Sequence, residues 1–126
     1  MKSRLVLLAV MLSITPGARL GAHHRYADVY REDRQISLEG DVVEWNYRNP
    51  HAFVLLIVRD PRNRRQQWIV ECGGTQQLRR HGVTAATLEP GQHVIVTGSP
   101  GRVEAEHRLL LRSLVRPQDG LTWSDR

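Results

Sequence analysis

The stretch ISLEGDVVEWNYRNPHAFVLLIVRDPRNRRQQWIVECGG, residues 36–74, decides the fold. Ile36, Leu38, Gly40 and Val42 alternate with polar neighbours; Val43, Trp45 and Tyr47 then alternate in the opposite phase. Alternation at period two reads as a half-buried strand, and one slip of phase reads as a bulge or strong bend. Gly40 stands where such a strand would coil. Asn49-Pro50 breaks the ladder, because proline lacks an N–H and disfavours helix at the residue before it. Ala52 to Val58 is an apolar run of strand length, and Asp60-Pro61-Arg62-Asn63 is a turn signal. Gln67 to Cys72 is the return strand of a hairpin, with Trp68 and Val70 on one face and Ile69 and Glu71 on the other.

Beyond it, Gly73-Gly74 ends the hairpin and Thr75 is placed to cap a short helix, Gln76 to His81, stopped by Gly82. Thr84 to Leu88 is a further short turn or helix, and Pro90-Gly91 is a turn. His93 to Thr97 and Glu106 to Val115 read as two more strands, separated by Gly98-Ser99-Pro100-Gly101. Three strands, a helix and two strands is the element order of the OB-fold, a five-stranded Greek-key barrel. The expectation is an all-β domain with one short helix, a small OB-fold-like barrel over residues 35–116. Residues 23–34 form a polar arm that could be loosely held. Residues 117–126 form a polar tail, in which Trp123 could fold back.

The beginning of the chain belongs to a different class. Lys2 and Arg4 precede an apolar run, Leu5 to Ile14, too short to span a bilayer, and Pro16-Gly17 breaks it. This is the order of a secretory signal peptide, residues 1–22, with Ala22 the best cleavage position. An uncleaved anchor is the alternative reading. Cleavage there leaves His23 first in the mature chain, destined for the periplasm or the medium, with no transmembrane segment.

Charge must be read after cleavage. The 126-residue chain has a formal net charge of +5. Removing Lys2, Arg4 and Arg19 leaves 15 cationic and 13 acidic side chains, a net charge of +2 with no lysine. That excess is too small to argue for nucleic acid or another polyanion as partner. Arg59, Arg62, Arg64 and Arg65 cluster around the hairpin turn and read as its solvated tip. The single cysteine, Cys72, cannot form an internal disulfide and reads as a small buried hydrophobe.

Phosphate-loop, dinucleotide and nucleophile-elbow motifs are missing from the sequence, and there is no second cysteine for a zinc site. Glu44 and Glu71 are the one conceivable acid/base pair, a weak signal in any sheet. The histidines say more. A mature chain opening on His23-His24 offers an α-amine and two rings, and nitrogen donors of this kind suit divalent copper. His51, fixed by the Asn49-Pro50 turn, is the natural further donor. A polar terminus and a turn histidine bonded to backbone remain the bland alternative. His81 lies at a helix end, where a cation is favoured, and His93 and His107 read as outward strand positions. Trp45, Tyr47 and Trp68 could line a ligand face by stacking, or could pack the sheet.

Four segments together resemble an uncharacterised family of small exported bacterial proteins: AHHRY (22–26), GDVVEWNYRNPHAFVLLIV (40–58), WIVECGG with QLRRHGV (68–83), and LEPGQHVIVTGSP (88–100). The family shares an Ala-His-His-aromatic opening, an Asn-Pro-His segment and a Pro-Gly-x-x-Val-x-Val-x-Gly segment. The resemblance spans His23 to Val115 and implies an OB-like fold, with no activity or cofactor to carry over. Tyr26 and Cys72 depart from it, standing where phenylalanine is common.

The sequence therefore supports an exported, non-catalytic binding domain. Its ligand is a small molecule, a periplasmic protein or a divalent metal, copper above all, at His23, His24 and His51. A structural or protein-interaction module of the cell envelope, without metal, is the second reading. Catalysis ranks last.

Overall fold

The computed structural model describes residues 26–125. The first strand, β1 (Ile36–Asn46), is the longest, and it bulges between Val42 and Glu44 where the alternation slips. Val42 faces the core at 2% exposure while Val43, the extra residue, stands 46% exposed. The bulge returns Trp45 to the inner side. At Gly40 the strand pairs with two neighbours at once, Val58 on one side and Val94 on the other. A Cβ there would lie 2.4 Å from the carbonyl oxygen of Ile57, so only glycine lets the backbones approach this closely.

β1 pairs antiparallel with β2 (Phe53–Arg59), which turns through residues 60–64 into β3 (Arg65–Glu71). The turn is built by Asp60, whose Oδ1 accepts the N–H groups of Arg62 (2.9 Å) and Arg64 (2.8 Å). A six-residue helix, α1 (Thr75–Arg80), follows, then β4 (His93–Pro100) and β5 (Arg108–Arg116), with one 3-10 turn, Glu104–Glu106, between the last two. The strand order is β3-β2-β1-β4-β5, and β3 also pairs parallel with β5, Val70 opposite Leu109. That last pairing closes a five-stranded barrel with its helix between the third and fourth strands, the expected OB-like arrangement.

Inside lie the alternating residues Val54, Leu56 and Val58, with Val70, Val94, Val96, Leu109, Leu111 and Leu114. Leu78 of α1 and Val83 and Leu88 beyond it close the end where β1 finishes. Each fully buried aliphatic side chain stabilises the fold by about 1.5–3 kcal/mol. Cys72 belongs to this core, fully buried.

Three features differ from the sequence expectation. The tail adds a sixth strand, β6 (Leu121–Ser124), paired with the second half of β5, and it buries Trp123. Thr75 does not cap α1 from outside; it is the first helical residue, and Gly74 takes the N-cap position with no capping side chain of its own. The segment read as an arm is packed from Tyr26 onward. Residues 26–29 are helical, Tyr30 is 1% exposed, and it bridges to Gly101. Arg31 N–H donates to Pro100 and Arg102 N–H to Val29, both at 2.9 Å. The arm thus lies on the outside of the β3–β5 seam. No helix among the described residues is long and apolar enough to cross a membrane.

Candidate functional site

The Asn-Pro-His segment joins β1 to β2 and is held from both sides. Asn49 Oδ1 accepts the backbone N–H (2.9 Å) and the hydroxyl (3.0 Å) of Thr75, supplying from another loop the cap that Gly74 lacks. The Asn49-Pro50 peptide is cis. Ala52 N–H donates to Gly73 (3.0 Å), and Cys72 N–H donates back to Ala52 (2.8 Å). Gly74 is required for this approach, since a Cβ there would lie 2.9 Å from the Pro50 carbonyl oxygen.

His51 is thereby directed at Glu71, at the end of β3. Its Nδ1 lies 2.8 Å from Glu71 Oε1, and its Nε2 lies 2.7 Å from the Tyr26 hydroxyl. The Tyr26 and His51 rings are 5.5 Å apart. Glu71 is 7% exposed. Its Oε2 accepts the Tyr30 hydroxyl at 2.5 Å, and Arg108 Nη2 stands 3.8 Å away. Burial, then the hydrogen bond to Glu71, pushes the Tyr30 hydroxyl well above its ordinary pKa, so it stays a donor. A carboxylate only accepts hydrogen bonds, so His51 Nδ1 carries the proton that faces Glu71. In the neutral ring Nε2 is then the lone-pair nitrogen, taking the Tyr26 O–H. A histidine whose Nδ1–H is held by a carboxylate is the arrangement that fixes tautomer and raises basicity in metal-ligating imidazoles.

His51 is the centre of this cluster. Tyr26, Glu71, Tyr30 and Arg108 were not legible as its partners. The one available signal was the four-residue spacing of the tyrosines, a single helical turn. His23 and His24 lie outside the described residues. Trp45 and Tyr47 pack together, ring centroids 5.7 Å apart, at the closed end of the barrel. Trp45 Nε1–H donates to Thr84 (3.0 Å), and the Tyr47 hydroxyl to Thr75 (3.1 Å), so both hold α1 and the turn after it. Trp68 sits apart from them, on β3 against His107 at 5.1 Å. Glu44 does not meet Glu71: it lies opposite Leu55 and is exposed, while Glu71 lies opposite Phe53.

His93 has two partners that the sequence did not suggest. Its Nε2 lies 2.8 Å from Glu39 and its Nδ1 2.8 Å from Asp41, across the β1–β4 pairing. The bond to Glu39, then that to Asp41, raises its pKa above the usual histidine value. Both ring nitrogens of His93 thus already face a carboxylate. Among the described residues, no three His, Cys, Asp or Glu side chains converge as a metal site.

The profile of a family of unknown function, DUF6152, matches residues 11–109. The chain belongs to DUF6152. The span matched by DUF6152 contains every residue of the cluster, from Tyr26 to Arg108, together with His23 and His24. No curated protein matches this DUF6152 chain.

Proposed function

We propose that this chain is an exported, non-catalytic binding domain, and that its ligand is a divalent copper ion taken by His51 Nε2 with His23 and His24. One observation carries the reading. Glu71 holds His51 Nδ1, so Nε2 is the nitrogen left to ligate, and it points at Tyr26. His24 is two residues from Tyr26, a reach of at most about 7 Å along the chain. Copper binding would exchange the Tyr26 hydrogen bond for coordination. The His23 α-amine, free after cleavage at Ala22, and its ring with His51 Nε2 make three nitrogen donors, to which the His24 ring can add a fourth, and divalent copper binds such a set more tightly than the other first-row ions do. Placement in the periplasm or the medium rests on the basic, apolar and small-residue order of residues 1–22.

The test is a copper titration of the purified protein, with its N-terminus fixed by mass spectrometry. One-to-one binding is expected, lost in His51→Ala and in a chain carrying one extra glycine before His23. Glu71→Gln should weaken it about 10- to 100-fold, the usual cost of removing a partner behind a ligating histidine. Equal binding in all variants sinks the proposal.

A second reading is favoured by the same contact seen from the other side. Tyr26 already engages Nε2, which makes the cluster a latch between arm and barrel in a metal-free interaction module of the envelope. A protein that ignores copper and co-purifies with one defined envelope protein would select it.

A further inference from the structure

The end of the barrel opposite α1 holds a cleft of about 250 Å³. It lies where β1 and β3 begin and β4 ends, over the β4–β5 connection, and it shares only Arg108 with the His51 cluster. Its chemistry is uneven. Arg31, Arg34 and Arg108 reach it from the arm and from β5, against one acid, Glu104. Neither Arg31 nor Arg34 has a side-chain partner among the described residues. The wall includes two aromatic rings, Trp68 and His107, packed in a tilted pair with centroids 5.1 Å apart and planes at 32°. His107 is held there by a left-handed backbone, φ 47°. Ile36 and Val103 add apolar surface, and Val103 is 55% exposed.

Two of the lining residues are also incompletely satisfied. Trp68 Nε1 and Arg108 Nε are buried and have no hydrogen-bond acceptor among the described residues. A buried donor without an acceptor is costly, and in a native fold such a group calls for an explanation. Here two of them border one cationic cleft.

We infer that this cleft binds a small organic carboxylate with a planar apolar body. The carboxylate oxygens meet the guanidinium groups, whose planar fork matches a carboxylate in a paired geometry. The ring lies along Trp68 and His107. The volume is below that of ordinary drug-sized pockets, so the ligand is of single-ring size. The site is independent of the copper reading and can stand if that reading fails.

Benzoate is the probe, with benzamide as the same shape without charge and acetate as the charge without the ring. The readout is the indole N–H resonance of Trp68 in a nitrogen–proton correlation spectrum, assigned by its loss in Trp68→Phe. Trp45, whose indole is bonded to Thr84 at the far end, is the internal control. Benzoate should shift the Trp68 signal saturably and leave Trp45 in place. Benzamide and acetate should each bind at least tenfold more weakly. The double variant Arg31→Gln, Arg34→Gln touches only exposed side chains and should lose the benzoate response with its spectrum otherwise intact. Adding copper should not displace benzoate. No Trp68 shift, equal response to benzamide or acetate, or an unchanged double variant overturns the inference.

Discussion

Glu71 is a charge almost out of water, and its neighbours explain why it is tolerated. An isolated buried carboxylate is strongly unfavourable, so it needs donors. It has the His51 Nδ1–H, the Tyr30 hydroxyl and, further off, the Arg108 guanidinium. The Tyr30 ring is buried against the seam, so Tyr30→Phe keeps the packing and removes one donor. The expected cost is about 1–3 kcal/mol, the range for leaving a buried acceptor short of its partner. It should appear as a lower urea midpoint with an unchanged slope. Tyr26→Phe, at a half-exposed ring nitrogen, should cost less. Equal stability of Tyr30→Phe and the wild type would mean that the other two partners suffice. His51 was legible as a special position because Asn-Pro dictates a turn locally. Its partners were not, because Glu71 meets the arm only through the register of β3 on β5, which no local pattern encodes.

The elements show the same division between local and distant causes. Alternation, the slip at Val42-Val43 and the turn at Asp60 are properties of neighbouring residues, and all three were readable. The start of α1 was not. Six residues are too few for a helix to stand alone in water. Gly74, extended at φ −73° and ψ 166°, offers no side chain to the first turn. The cap comes instead from Asn49, 26 residues away, and Thr75 donates to it rather than serving as the cap. Asn49→Ala should therefore cost about 1 kcal/mol, the usual value of an N-cap. In a domain of this size that is a fall in Tm of roughly 4–8 °C. The loss should be local as well: amide exchange at Leu78 and Val83 should accelerate more than at Val96 in the centre of β4. Uniform acceleration across the barrel would place the role of Asn49 elsewhere than at the helix.

At the scale of the molecule, one edge of β5 pairs with β4 and the other is shared between two partners. Its first residues, Arg108 to Leu110, seal the barrel against β3, and its last, Ser113 to Arg116, pair with β6. The barrel order of five strands was readable from the sequence. The sixth was not, because a polar tail with one tryptophan carries no alternation to read. Yet β6 covers the part of β5 that closure leaves open, and an uncovered edge invites pairing with other chains. The tail is also tied to α1: Asp125 Oδ2 accepts Gly73 N–H at 2.6 Å, and Gln77 donates to the Asp125 backbone carbonyl. Trp123, 4% exposed, lies opposite Leu114. Ending the chain at Gly120 removes all of this at once. Losing a buried tryptophan alone costs about 3–5 kcal/mol, a large share of the roughly 5–15 kcal/mol that holds a small domain together. The shortened chain should unfold at a much lower urea concentration, and it should associate through the bared β5 edge, visible as a shift in light scattering. Trp123→Phe keeps the strand and most of the buried surface, so it should scatter light as the wild type does, with a small loss of stability. A shortened chain that unfolds at the wild-type midpoint would show that the five strands stand without β6.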